Sequence, residues 1–400
     1  MKKKKTLILT DRFYPEEFFI NSLLPEFRAQ GIDFEVLTQA PSYPYGKVNK
    51  YPGYKNSIYT TNDWQGYPVH RIFTVQGYRE SRFRKVLHYI SFAFFCSVFL
   101  LFKGRKYDRI FVFQTGPLMQ ALPAVLAKKI YRCRIFIWTL DLWPDAVYAL
   151  AFRKSWWLKK LLDWVVSSVY KNCSGIFVSS PGFTERIHEY VPGKEIHVMP
   201  QWSGGMETVN QSGITLDPGF FHFTFAGNIA QTQNLDMVIL GFHEAFPGNE
   251  RMRLNIFGDG SNLDELKRIA ATNNIRGITF WGRQPQTAMS HVFAQSQVLL
   301  ISLKPDPLFD RYIPLKFSSY LNAVKPVFAI MNGEVQHLVK EYNIGIGADP
   351  SDCHSIAAGF LAFSKMSAES LSNLSQNSVS LSSTMFSKSR ILESFFTYFK

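Results

Sequence analysis

The sequence predicts two successive α/β domains, each an open parallel sheet with crossover helices, and three observations carry that reading. Short apolar runs alternate with helical stretches along the whole chain. The chain has 400 residues, which exceeds one ordinary core and suits two domains of roughly 180–200 residues each. Two such series of runs are separated by residues 201–219, rich in Gly, Ser, Asn and Pro. The 46% apolar and 19% charged content supplies two cores and excludes a disordered chain.

In order, the strands predicted for the first half are Thr6–Thr10, Asp33–Thr38, Val69–Phe73, Arg109–Phe113, Ile135–Thr139, Gly175–Ser179 and Glu195–Met199. Those of the second half are His222–Ala226, Arg253–Phe257, Gly277–Phe280, Val298–Ser302, Pro326–Ile330 and a short Gly345–Ala348. The Ser-rich tail Ala368–Thr384 reads as partly loop, and Ser389–Phe399 as an amphipathic final helix. The division expected is a first domain over 1–203, a linker over 204–219, a second domain over 220–380 and a C-terminal helix over 381–400. Two open α/β domains of this kind are expected to make a cleft where the carboxyl ends of both sheets face each other, because ligands bind at such strand ends.

Charge separates the halves. Residues 1–200 carry 29 Lys and Arg against 15 Asp and Glu, whereas the rest carry 15 against 16. A basic domain meets an anionic partner, either nucleic acid, anionic lipid or phosphate groups. No nucleic-acid-binding motif or basic tail accompanies the charge, so nucleic acid is not expected as a partner. Two segments point to a membrane surface instead. Val86–Phe102 is a 17-residue apolar run with Arg and Lys on both sides, lying between two predicted strands; it reads as a buried crossover helix or as one that dips into a membrane interface. Arg153–Tyr170 interleaves three Trp with four basic residues, a composition typical of the headgroup level. The apolar run after Met1–Lys5 ends at Asp11 and Arg12, too short for a signal peptide. Four cysteines lie far apart, with no metal spacing, and read as core thiols of a reducing compartment. Together these predict a cytoplasmic protein bound peripherally to an anionic membrane surface.

Chemistry is expected at strand ends. Gly227 and Asn228, then Gly258 and Asp259, then Gly282 and Arg283 follow three successive strands of the second domain. Glycine there lets backbone approach a phosphate or base, and a following helix N-terminus favours an anion, although any one such glycine is also a simple turn. Lys316 opens a helix after another strand, a position the helix dipole disfavours unless an anion is served. Asp141 and Asp145 follow a strand of the basic half. Asp145 fits an N-cap, which leaves Asp141 as the candidate to orient a sugar hydroxyl or act as base.

These residues, in this order, resemble the bacterial GT-B glycosyltransferases of family four, in the branch that builds capsules, O-antigens and exopolysaccharides. The resemblance runs over nearly the whole chain. It rests on DRFYPE at Asp11–Glu16, TQAPSYPYGKVNKYPGY at Thr38–Tyr54, QTGPL at Gln114–Leu118, DLWPD at Asp141–Asp145 and MPQW at Met199–Trp202, then FAGN at Phe225–Asn228, IFGDG at Ile256–Gly260, FWGR at Phe280–Arg283 and PLKFSSYLNAVKP at Pro314–Pro326. It implies two facing Rossmann-like domains, a nucleotide sugar (UDP-linked by expectation) held by the second, and transfer with retention of configuration, with no metal and no further cofactor. It implies an acceptor saccharide on undecaprenyl diphosphate at the inner face of the bacterial inner membrane. Carried onto this chain, it adds Ser319 to the donor contacts and places acceptor contacts at Asn21, Tyr43, Gln114 and Trp143.

Three departures stand out. Paired glycines of the family fall on Glu16-Glu17-Phe18-Phe19, a Lys-Gly pair falls in Gln231–Asn234, and two paired glutamates fall on Arg311 and Ser319. The second glutamate usually holds the donor ribose, so a catalytically silent scaffold subunit is one alternative. A nucleotide-sugar 2-epimerase on the same architecture is another.

Overall fold

The computed structural model describes residues 5–145, 156–203, 213–248 and 251–399, and the chain divides into two compact units. The first comprises Met1–Met199 and takes back the chain's end, Leu392–Lys400. Its strands are β1 Lys5–Leu9, β2 Asp33–Gln39, β3 Tyr59–Trp64, β4 Tyr67–Ile72, β5 Arg109–Gln114, β6 Arg134–Thr139, β7 Gly175–Val178 and β8 Ile196–Val198. They lie in the order β3-β4-β2-β1-β5-β6-β7-β8. Every neighbouring pair is parallel except β3–β4. The helices are α1 Ile20–Ala29, α2 Arg82–Lys103, α3 Leu122–Tyr131, α4 Trp156–Asn172 and α5 Gly182–His188.

The second unit, Pro200–Ile391, has β9 Phe221–Ala226, β10 Met252–Phe257, β11 Ile278–Gly282, β12 Val298–Ser302, β13 Val327–Ile330 and β14 Gly345–Ala348. All are parallel, in the order β11-β10-β9-β12-β13-β14. Its helices are α6 Leu235–Ala245, α7 Leu263–Thr272, α8 Gln286–Gln295, α9 Leu315–Asn322, α10 Glu334–Glu341, α11 Cys353–Ser364, α12 Ala368–Thr384 and the start of α13 Lys388–Phe399. This is the doubly wound order, in which strand order reverses at a single point. Apolar side chains from the strands meet those of α6 and α11 on one face, and of α9, α10 and α12 on the other.

Three features differ from the sequence reading. The unpredicted β3 pairs antiparallel with β4 through Gln65 and Gly66, whose φ angles of 54° and 87° suit a two-residue hairpin turn. The Ser-rich tail is helix, not loop. Ser367 caps α12 through the Ser370 N–H at 3.1 Å, Leu374, Ser378 and Leu381 turn inward, and serine hydroxyls bond back onto the preceding turn. Residues 381–400 are therefore not one helix, since α12 ends at Thr384 and α13 begins at Lys388. Instead Phe395 and Phe399 enter the first unit's core against Phe27, Phe111 and Phe136, and Arg109 donates to the Phe399 carbonyl at 2.9 Å. All four cysteines are free, three of them buried.

The long apolar helix α2 is the crossover from β4 to β5. By length and composition, Arg82–Lys106 is capable of crossing a membrane, and only 28% of its apolar window is buried. Phe83, Val86, Ile90, Phe94, Leu101 and Phe102 lie exposed along it. On α4 Trp156, Trp157 and Trp164 are exposed as well, so this helix does not hide its indoles. The linker at 204–212 and the start of the Trp-rich segment, 153–155, lie outside the described residues.

Candidate functional site

In each unit the strand order reverses beside one strand, and each reversal point holds a cation, buried in the first unit and partly buried in the second. In the second unit that strand is β9, flanked by β10 and β12. Gly227 leaves β9 with φ 152°, and a Cβ there would stand 3.2 Å from Lys316 Nζ. A side chain at 227 would displace the ammonium, which is the physical reason for glycine here. The loops after β9, β10 and β11 are stitched together. Gly227 N–H donates to Phe257 O at 3.0 Å, Ile229 N–H to Asp259 O at 2.9 Å, and Gly258 N–H to Gly282 O at 2.9 Å. Gly258 must also be glycine, because a Cβ would meet the Gly227 carbonyl oxygen at 1.8 Å.

Lys316 sits in the first turn of α9, which Pro314 precedes. Its ammonium donates to Gln233 Oε1 and lies 4.2 Å from the Phe225 ring centroid. Among the described residues no carboxylate pairs with it, and burial lowers its pKa to about 7. One turn further on, Tyr320 clamps the end of β9. Its hydroxyl accepts from Ala226 N–H at 3.1 Å. Ser319, between the two, is partly buried on the same helix. Thus Gly227, Gly258, Gly282 and Lys316 are brought together, with Asn228, Asp259 and Arg283 exposed on the same set of loops. Gln233, in the Gln231–Asn234 stretch that departs from the expected Lys-Gly pair, is a neutral partner for Lys316.

In the first unit the reversal strand is β1, flanked by β2 and β5. It delivers Asp11 and Arg12, both nearly inaccessible, and the loop beyond delivers buried Glu16. The Arg12 guanidinium reaches Asp11 at 3.7 Å and Glu16 at 3.6 Å, and lies over the rings of Tyr43 and Tyr78. Burial alone would lower the Arg12 pKa, but Asp11 and Glu16 outweigh it and raise the value. Glu16 Oε1 also accepts the Ser42 and Tyr43 N–H groups, each at 2.6 Å, fixing the loop after β2. Burial raises the Glu16 pKa against the opposing pull of Arg12 and these donors. From the β5 loop Thr115 donates to Asp11 Oδ1 at 2.6 Å. Tyr89 of α2 is pushed up to about 12 by burial, then by Asp11, with Asp141 adding a smaller push.

The acceptor residues expected from sequence divide. Tyr43 is half exposed. Asn21 is used inward, donating to Glu16 O at 2.6 Å and accepting from Tyr14 N–H at 3.2 Å. Gln114 is fully buried, and its amide brackets the β5 and β6 loops through Gly116 O at 2.7 Å and Asp141 O at 2.9 Å. Trp143 is buried too. Burial corrects the expectation for these two, since neither presents a surface to a ligand. Asp145 forms an ion pair with Arg186 at 2.9 Å, and the cap expected of it concerns residues 146–155, which lie outside the described residues. The buried cluster of Asp11, Arg12, Glu16, Tyr78 and Tyr89 was not expected from the sequence. Its charges follow an apolar strand in the sequence, but the rings that complete the cluster come from distant segments.

Residues 17–202 match the glycosyl transferase 4-like domain family, and residues 210–380 match the glycosyl transferases group 1 family. A curated relative, the probable glycosyltransferase WbjE of Pseudomonas aeruginosa, is 26% identical over 137 residues, 34% of this chain and 34% of that protein. Among solved structures, HepE of Anabaena in complex with UDP and glucose superposes with a TM-score of 0.68 at 13% identity, covering 99% of both chains. Sucrose-phosphate synthase from Thermosynechococcus elongatus gives 0.73 at 13% identity, covering 99% of this chain and 98% of that one.

Proposed function

Since the chain is a glycosyltransferase with the GT-B fold, we propose that it moves a sugar from a UDP-linked donor to a saccharide on undecaprenyl diphosphate, with retention of configuration, in bacterial surface polysaccharide synthesis. The observation that carries the donor half is Lys316, a cation with no carboxylate partner among the described residues, held under Gly227 at the reversal point of the second unit. In this reading the glycine loops offer backbone N–H groups to the nucleotide, and Lys316 neutralises the charge that builds on the departing diphosphate. No metal takes part in that proposal. HepE, captured with UDP, supports a uridine donor.

The acceptor half rests on the first unit. Its basic surplus, the exposed apolar residues of α2 and the exposed Trp of α4 suit an anionic membrane at whose inner face the lipid-linked acceptor is met. Asp141, at the carboxyl end of β6, orients the acceptor hydroxyl in this proposal. The test is a panel of UDP-, GDP- and dTDP-sugars incubated with the protein and bacterial membranes, read by mass spectrometry of lipid-linked products. A hexose-sized mass gain on an undecaprenyl-linked species with one UDP-sugar is the expected outcome. A product only on soluble sugars, or only from GDP-sugars, contradicts the proposal.

A further inference from the structure

A groove on the first unit, away from the reversal point, joins the edge hairpin to α2. Ile58, Ile72, Phe95, Val98, Phe99 and Phe102 form its apolar walls around a cavity of about 180 Å3. The groove exists because β3 is an edge strand with no neighbour on its outer side among the described residues, while α2 carries more apolar surface than the sheet covers. Phe102 is 84% exposed and Ile58 73% exposed, so both rims of the groove are themselves apolar and open.

The mouth is basic in a specific way. Lys103 donates to the Tyr59 hydroxyl at 2.9 Å and lies 4.5 Å from the Tyr59 ring centroid. Among the described residues no carboxylate lies within ion-pair distance of it. Its neighbours in charge are spent elsewhere, since Lys5 and Lys106 both pair with Glu35, which also holds His70 and Tyr107. These partners hold the Glu35 carboxyl far below the usual carboxylate range against the burial that opposes it. An exposed ammonium resting on the Tyr59 hydroxyl and ring, at the open end of an apolar groove, complements an anionic head attached to an alkyl chain.

We infer that this groove binds one acyl chain of an anionic phospholipid, with the lipid phosphate on Lys103. This deepens the membrane reading proposed above, because the groove continues the exposed apolar face of α2, but it is testable without a membrane. The probe is dodecyl phosphate below its micelle concentration, titrated calorimetrically into the full-length protein. Saturable one-to-one binding is expected, with inorganic phosphate giving none. Lys103→Gln weakens it roughly fivefold, the effect of one basic residue near an anionic headgroup. Val98→Trp, which fills the groove, abolishes it, and Ile58→Asp, an exposed change that leaves the core intact, weakens it at least as much as Lys103→Gln. Absence of saturable binding, or equal binding by wild type and both groove variants, overturns the inference. Flotation of the same proteins with phosphatidylglycerol vesicles separates the two readings. Loss of dodecyl phosphate binding with normal flotation sinks only the groove, whereas binding without flotation sinks only the membrane reading.

Discussion

Arg12 and Lys316 occupy corresponding places in the two units, each at the carboxyl edge where strand order reverses, and they are solvated by the protein in opposite ways. Arg12 has two carboxylates and two aromatic rings around it. Lys316 has a neutral amide and one ring. A buried cation that the protein neutralises is part of the architecture, because removing it strands its partners. Lys316, with no carboxylate partner among the described residues, has a lowered affinity for its proton, and in the proposed reading it meets an anion from outside. In the proposed reading, the difference gives the phosphate-binding role to the second unit and a loop-setting role to the cluster of the first.

The largest expected effect comes from removing Arg12. Arg12→Met leaves Asp11 and Glu16 buried without their cation and is expected to destabilise the first unit by about 3–5 kcal/mol in chemical denaturation. Glu16 already has a raised pKa, and without Arg12 it rises further. The folded variant then binds more protons than the unfolded chain, so part of its stability returns as pH falls from 7 toward 5. A loss under about 1 kcal/mol at pH 7 would mean that the cluster is not structural.

Lys316→Ala is expected to behave in the reverse manner. Donor binding falls by about 10- to 150-fold, the worth of one charge-assisted contact to a phosphate, measured by titration with UDP. Stability without ligand does not fall at pH 7. The folded pKa of about 7 lies below the ordinary lysine value of 10.5, so the unfolded chain binds more protons between them. Wild-type stability therefore rises with pH across that window, and the rise is absent from the variant. A variant that unfolds like Arg12→Met would erase the comparison.

The smallest effect is expected at Ser319, which stands on α9 between Lys316 and Tyr320. A glutamate accepts hydrogen bonds from both ribose hydroxyls, whereas serine reaches at most one. Ser319→Glu should tighten UDP binding about 2- to 10-fold, read as a larger thermal shift at millimolar nucleotide. A shift in the variant with none in the wild type, for either UDP or GDP, would favour a silent scaffold subunit over an active enzyme.

What the sequence made legible follows from range. Buried parallel strands announce themselves as apolar runs, and all but the weakest were found within a residue or two. β3 escaped because most of its residues face solvent, leaving no apolar pattern, although the Gln65-Gly66 turn was there to read. α12 escaped because serine composition suggests loop, while its cap and three inward positions decide for helix. The return of Phe395 and Phe399 to the first core joins residues nearly 300 apart, as the Arg109–Phe399 bond does, and no local pattern encodes it. The same holds for the site. Lys316 was legible because a lysine opening a helix conflicts with the dipole. Arg12 was not, because its meaning lies in Glu16, Tyr43 and Tyr78, which only the fold assembles.

The central claim is that Lys316 is held deprotonation-prone for a diphosphate, and the pH dependence of UDP affinity in wild type and Lys316→Met tests it most directly. Dividing wild-type by variant affinity cancels the titration of UDP itself. If the ammonium carries the contact, the ratio is large below pH 7 and falls by up to about tenfold per pH unit above it, because binding must then take up a proton. A ratio near one at pH 6, or one that is flat from pH 6 to 9, would contradict the account.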